Sequence, residues 1–398
     1  MKQKNNNIRS FLILSLIFFL FFLTGCWSSR DIEEKNLVTG LALDIGKKSD
    51  IEKKLEEREK GYSNKSILTM TFPIAKPQSS GQSRANAQQK PYENVSETGE
   101  SVHLITREIA LRRKGVPLFS HIKVVVISED LLRLHSLEAL LDLIFRDNEL
   151  RASCLVLISK GFASKILESN AKGGFPSFEL IGILDNKNRS TRILPSVTVA
   201  NLTGKMGSKS SFLIQNVSSA KGEIKVTGGS IIKGKNKKIV GYFNAKEIDG
   251  LTWITGQGKR GLVRIYEEET GQPIVYEIKS MKSKIIPHVR GKNISFNVNI
   301  ESEGRISENW LTSQRKMTNE FLKKIEKEAE KEVNLIVNNV LEKAQKEYQV
   351  DVFGFGNKMR IEYPKTWEKL KGNWDKTFSE IPIKCKVKLI IKDYGGER

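Results

Sequence analysis

The stretch "HIKVVVISEDLLRLHSLEALLDLIFRDNELRASCLVLISKG", His121 to Gly161, decides how this chain is built. Its opening, "HIKVVVIS", is a short apolar run rich in β-branched residues, which reads as a buried strand. In "SLEALLDLIFRD", Leu137, Leu140, Leu141 and Ile144 recur at i, i+3, i+4 and i+7 and line one side of an amphipathic helix. "CLVLISKG" then supplies a second strand and "FASKIL" a short helix. Strand, helix, strand, helix in this order implies an α/β layer with helices packed on a sheet.

Upstream, "LVTGLALDI" (37–45) and "SILTMTFPIA" (66–75) are strand-like and flank a charged insertion at 47–65. Residues 76–99 are polar, contain Pro, Gly, Ser and Gln, and show no period, which predicts a long mobile loop. A helix starts at Thr98 or Ser101, carries Val102, Ile105 and Ile109 on one stripe, and stops before Gly115 and Pro117.

Downstream the polar, Gly-containing segment 188–211 reads as a domain connection. Beyond it come short strand candidates: "GEIKVTGGSIIKG", "KKIVGYFN", "GLVRIYEE", "PIVYEIKS" and "NISFNVNIE". In the last, Ile294, Phe296, Val298 and Ile300 alternate with polar residues, the pattern of a half-exposed antiparallel strand. From about Asn309 to Tyr348, Phe321, Ile325, Ala329, Val333, Val337 and Leu341 recur every four residues. The stripe is widened by Leu322, Ile336 and Val340, which suits packing on the chain's own sheet better than a narrow coiled-coil seam. The final "IPIKCKVKLIIKD" alternates apolar residues with lysines and pairs into that sheet, its lysines forming a solvent face or a guarded edge.

The fold class is therefore mixed α/β (α+β) and multi-domain. An N-terminal sheet flanked by helices precedes a β-rich C-terminal part with one long amphipathic helix. The expected boundaries are a leader at 1–25, an N-terminal α/β domain at 26–195, a linker at 196–222 and a C-terminal α+β domain at 223–394. That last unit is open to a split into 223–305 and 306–394.

The leader is legible on its own. Lys2, Lys4 and Arg9 precede "FLILSLIFFLFFL", an apolar run too short to span a bilayer, then small residues: a secretory signal layout. Leu23-Thr24-Gly25-Cys26 resembles the lipobox of bacterial lipoproteins. The resemblance implies cleavage after Gly25, an S-diacylglyceryl group on the Cys26 thiol and an N-acyl chain on its new amino terminus. One acyl chain anchors a protein only marginally, whereas two anchor it stably.

Composition agrees with a protein exported and held at a surface. Mean hydropathy is −0.35, and no second apolar stretch approaches spanning length. The net charge of +20 falls by the three leader cations to +17, which attracts an anionic membrane. Nucleic acid is disfavoured because the lysines are dispersed among glutamates, as in "FLKKIEKEAEKE", and because the chain carries an export signal. With Cys26 assigned to the anchor, Cys154 and Cys385 remain and read as core thiols in separate sheets.

Chemistry-bearing motifs are scarce. His103, His121, His135 and His288 form no ligand spacing, and no metal site or cofactor is indicated. No Gly-x-Ser-x-Gly elbow, Walker loop or Ser-x-x-Lys occurs. "GFGNKM" (354–359) reads as a turn rather than a phosphate loop. Asp44, Asp185 and Asp249 read as turn and strand-end residues, and Trp367, Leu370, Trp374 and Phe378 as the core side of a C-terminal helix. No catalytic residue is assigned, which points to a binding or structural protein.

Three stretches together carry a family resemblance: "GCWSSRDIEEKNLVTGLALDIG", "TGESVHLITREIALRRKGVPLFSHIKVVVISEDLL" with "FRDNELRASCLVLISKGFASKIL", and "DVFGFGNKMRIEYPKTWEKLKGNWDKTFSEIPIKCKVKLIIKDYG". They resemble the Ger(x)C family, the C-subunit lipoproteins of nutrient germinant receptors in spore-forming bacteria. The resemblance implies a non-enzymatic lipoprotein on the outer face of the spore inner membrane. It also implies two integral-membrane partners, the A and B subunits. The alternatives are a solute-binding lipoprotein of a transporter, with two similar lobes around a cleft, and a surface hydrolase.

Overall fold

The computed structural model describes residues 36–46, 67–76, 90–111, 113–115, 117–146, 150–168, 174–311 and 318–394. The leader, Cys26 and the insertion at 47–65 lie outside the described residues.

The N-terminal strands are β1 (Asn36–Leu37), β2 (Gly40–Ile45), β3 (Leu68–Ala75), β4 (Tyr92–Gly99), β5 (Pro117–Leu118), β6 (Val124–Ser128) and β7 (Leu155–Ser159). They are followed by β8 (Phe212–Ala220), β9 (Glu223–Ile232) and β10 (Ile239–Phe243). Eight of these form one sheet in the order β10-β9-β8-β7-β6-β2-β3-β4, while β1 pairs with β5. Its centre, β2, β6, β7 and β8, is parallel, and antiparallel pairs extend it on both sides.

Helices cover both faces, and this is why β6 reads as a continuous apolar run. The helices are α1 (Val102–Ile109), α2 (Glu129–Leu134), α3 (Leu137–Arg146), α4 (Ala163–Ile166), α5 (Pro176–Asp185) and α6 (Val199–Gly207). Val125 and Ile127 of β6 pack with Ile105, Leu131, Leu141 and Leu202, from α1, α2, α3 and α6. Val124 and Val126, pointing the other way, pack with Ala163, Ile166, Leu180 and Leu184 of α4 and α5. All four residues of the expected α3 stripe are buried. Ser101 caps α1 by accepting a hydrogen bond from the Leu104 amide.

The C-terminal part begins with α7 (Ala245–Thr255), then β11 (Leu262–Tyr266), β12 (Pro273–Arg290) and β13 (Asn293–Asn309). It continues with α8 (Asn319–Glu342), a π-helical turn at Lys343–Tyr348, α9 (Phe355–Glu362), α10 (Pro364–Leu370), α11 (Trp374–Glu380) and β14 (Ile383–Asp393). The four strands lie in the order β11-β12-β13-β14, with β14 parallel to β13. Ile325, Ala329, Val333, Val337 and Leu341 of α8 are buried together with Val298 and Ile300 of β13 and Val387 and Leu389 of β14. Burying each such Val, Ile or Leu contributes about 1.5–3 kcal/mol. The helix also closes the sheet edge: Glu330 and Glu326 accept hydrogen bonds from the Leu389 and Ile391 amides of β14 at 3.0 and 2.7 Å. Two outer backbone donors of this edge strand are thereby satisfied rather than left to pair with another chain. Gly250 lets α7 and α8 meet closely, since a Cβ there would lie 2.7 Å from the Ile336 carbonyl oxygen.

Several expectations are corrected. Residues 92–99, expected as the end of a mobile loop, form β4, which pairs with β3 and is fastened by Thr69–Thr98 and Thr71–Ser96 hydroxyl contacts of 2.8 and 2.7 Å. Residues 196–222, expected to link two domains, hold α6 and β8. Thr198 and Asn201 form a capping box at the start of α6, and β8 sits between β7 and β9. Lys221 and Gly222, with φ of 53° and 79°, make a two-residue hairpin of the type that needs positive φ at both positions. The division expected at 223 thus falls on a hydrogen-bonded hairpin, and β9 and β10 belong to the N-terminal sheet. "GFGNKM" is not only a turn: Gly354, at φ 92°, precedes α9. The expected helix around Gly372 is broken there into α10 and α11 by a 3₁₀ turn at Lys371–Asn373.

Candidate functional site

The three aspartates singled out in the sequence lie far apart in role. Asp44, 3% exposed at the end of β2, accepts hydrogen bonds from the Ala163 and Ser164 amides at 2.6 and 2.9 Å. A carboxylate at the amino end of α4 satisfies donors that the helix cannot, so Asp44 joins two segments remote in sequence. Asp249 on α7 accepts from the Thr191 hydroxyl and from Arg192 Nε at 2.9 Å, while the Thr252 hydroxyl donates to the Thr191 carbonyl at 2.8 Å. This stitches the segment before α6 to α7. Asp185 is exposed at the end of α5.

A fourth aspartate, missed in the sequence, is the most heavily bonded. Asp351 Oδ1 accepts from the Phe353, Gly354 and Phe355 amides at 3.1, 2.9 and 3.2 Å. Its Oδ2 accepts from the Gly356 amide at 2.6 Å and from Trp374 Nε1 at 2.9 Å. The available signal was an Asp placed just ahead of two glycines and a helix, the arrangement of an Asx-type cap. This hub aims Phe353 and Phe355 inward, where Phe355 meets Phe296 at a ring distance of 4.9 Å and Phe378 at 5.6 Å. Trp374 and Phe378 are core residues, and Trp367 stacks edgewise on Trp374 at 5.2 Å.

No acid, base and nucleophile converge among the described residues. No group of three His, Cys, Asp or Glu suited to a metal occurs among them. Burial pushes the Cys154 thiol up to about 12 and the Cys385 thiol up to about 11, so neither is a thiolate near neutral pH. His288 contacts the Asn297 side chain at 3.0 Å on an exposed strand face.

What the two halves do share is a charged junction at the carboxyl ends of β6 and β7, the edge where open α/β sheets place ligands. Glu129, the first residue of α2, pairs with Arg133 and with Lys160, the residue after β7. The Lys160 ammonium stands 3.5 Å from the ring centre of Tyr242 on β10. Lys343, in the π-helical turn after α8, lies 5.6 Å from the same ring and 2.8 Å from Glu247 on α7. Burial alone would lower the Lys343 ammonium, but the Glu247 hydrogen bond and charge leave it raised. The Tyr348 hydroxyl donates to the Tyr242 carbonyl at 3.2 Å, and its ring covers Gly241, where a side chain would collide. This edge is filled by ion pairs and cation–π contacts that hold the long helix of one half against the sheet of the other.

Comparison with known proteins gives the same order of parts. The profile described as spore germination protein N-terminal domain matches residues 28–219, and that described as spore germination B3/GerAC like, C-terminal, matches residues 227–395. Spore germination protein YndF of Bacillus subtilis (strain 168) is 43% identical over 378 residues, which cover 94% of this chain and 93% of that protein. Spore germination protein B3 of the same organism is 29% identical over 385 residues, 96% of each chain. The crystal structure of the GerBC protein matches at a TM-score of 0.60 and 25% identity, covering 91% of this chain and 100% of that one. The seam between the two profiles falls at the β8–β9 hairpin, inside the larger sheet.

Proposed function

The chain belongs to the GerAC-like (Ger(x)C) family of spore germination proteins, and from that premise we propose that it is a lipid-tethered, non-enzymatic subunit of a nutrient germinant receptor. The observation that carries this reading is its 43% identity to a spore germination protein along 94% of its length. The Leu-Thr-Gly-Cys sequence at 23–26 supplies the tether: after cleavage following Gly25, two fatty chains and an N-acyl group on Cys26 hold the body at the outer face of the spore inner membrane. No helix among the described residues is long and apolar enough to cross a membrane.

Confinement at the membrane raises the effective concentration of the body near integral-membrane A and B subunits, so modest contacts become occupied. The buried aspartates are engaged in hydrogen bonds within the fold, consistent with a subunit that binds and transmits rather than catalyses. A solute-binding lipoprotein with two similar lobes fits poorly, because the two sheets differ in strand number, order and cover. In the test, Cys26→Ala moves the protein from the membrane to the soluble fraction of lysed spores and slows nutrient-triggered germination. Membrane retention with an unchanged germination rate would contradict the proposal.

A further inference from the structure

One face of the four-stranded sheet is covered by α8 and its neighbours, and the opposite face is open. The register places its side chains in rows. Lys284 of β12, Asn299 of β13 and Lys386 of β14 form one row, and Lys282, Glu301 and Lys388 form the next. On the other side of the first row come Ile286, Asn297 and Lys384. Lys282, Lys284, Lys384, Lys386 and Lys388 are all exposed, as are His288 and Arg290 farther along β12. Alternate residues on a strand stand about 7 Å apart and next-nearest strands about 10 Å apart, so the ammonium groups form a spaced, flat array.

The acids on this face are unevenly placed. Glu301 lies among the lysines, whereas Glu303, Glu277 and Asp393 sit toward the other end and pair with Lys392, Arg305 and Lys279 at 3.4, 2.6 and 3.5 Å. Among the described residues, none of Lys282, Lys284, Lys384, Lys386 and Lys388 has a carboxylate partner within ion-pair distance. Like charges on one flat face raise its potential, and what matches it is an extended negative plane.

We propose that this face, centred on Lys284, Lys384, Lys386 and Lys388, docks the body onto anionic phospholipid headgroups. The proposal deepens the tethered-subunit reading and rests on it for location: the anchor would keep the body within a chain length of the bilayer. Docking then fixes which side of the body faces the lipid. The attraction is electrostatic, so it is screened by salt and needs anionic lipid.

The test uses the chain from Trp27 onward without a lipid, which retains every element of the described fold, since that fold begins at Asn36. Binding is measured by cosedimentation with vesicles of phosphatidylcholine alone and of phosphatidylcholine with phosphatidylglycerol. Replacing Lys284, Lys384, Lys386 and Lys388 by Gln is expected to weaken binding to the anionic vesicles about tenfold or more. A charge-matched control, Gln at the exposed lysines 323, 327, 365 and 369, is expected to change it by less than about twofold. Equal losses in the two variants, or binding that ignores anionic lipid, would overturn the proposal. Unchanged vesicle binding by the sheet variant, joined to a lost germination response in the anchored chain, would assign the face to an acidic protein and likewise overturn it. A missing lipid on Cys26 would defeat the tether while leaving the vesicle result intact, so the two failures are distinguishable.

Discussion

Strands β6 and β14 are built from similar apolar residues and end in opposite situations. Every residue of Val124–Ser128 is buried, because helices lie on both faces of the larger sheet. Along β14, Val387 and Leu389 are buried while Lys384, Lys386 and Lys388 are exposed, because α8 covers one face only. A strand covered twice contributes to stability alone. A strand covered once can add stability from one face and contact a surface with the other.

The comparison breaks most severely at the hub that organises the covered face of the smaller sheet. Asp351→Ala leaves three buried amides, a fourth half-buried one and an indole without their acceptor, and it is expected to cost about 4 kcal/mol in urea unfolding. A loss under about 1 kcal/mol would mean that water replaces the carboxylate and that the aromatic cluster does not depend on it. Next in size is the direct contrast between strands. Val126→Ala in β6 is expected to cost about 2 kcal/mol through the cavity left between helix and sheet. Lys386→Ala in β14 is expected to change stability by less than about 0.5 kcal/mol. Similar costs at the two positions would erase the distinction between a doubly and a singly covered sheet.

The smallest effect concerns pH. In the β11–β12 turn, burial pushes the Glu267 carboxyl up, but hydrogen bonds from Lys324 and Thr270 outweigh it and bring it to about 2 from an ordinary 4.5. A carboxyl held lower in the folded than in the unfolded chain stabilises fully above pH 4.5 and loses that contribution as pH falls toward about 2. Lys324→Met is therefore expected to flatten the fall in stability across that window, read from thermal unfolding in a pH series. Parallel profiles for the two proteins would remove the pair from the account.

How much was legible in the sequence follows from the range of the interactions concerned. The helix at Leu137–Arg146, the stripe from Ile325 to Leu341 and the strands at 124–128 and 155–159 are set by local periodicity, and they stand as expected. The alternating lysines of β14 are expected as a solvent face or a guarded edge; Lys384, Lys386 and Lys388 are exposed, and β14 is the edge strand of its sheet. β4 escaped notice because "YENVSETG" carries little apolar signal and is ordered by pairing with β3. The segment 196–222 looked like a connection because its polar helix hides its apolar side, Val199 and Leu202, in a three-residue spacing. Asp351 and Asp249 gain their meaning from Trp374, Thr191 and Arg192, 23, 58 and 57 residues away, and no local pattern announces such partners. The anchor is the reverse case: its evidence is wholly local, in Leu23-Thr24-Gly25-Cys26, and it lies outside the described residues.

The proposed anchor at Cys26 would bring the open sheet face within reach of lipid, and the docking proposal rests on it. Its most direct test is mass spectrometry of the amino-terminal peptide of the mature protein extracted from spore membranes. The account predicts a chain beginning at Cys26 and carrying a diacylglyceryl thioether, and an unmodified thiol or a retained leader would contradict it.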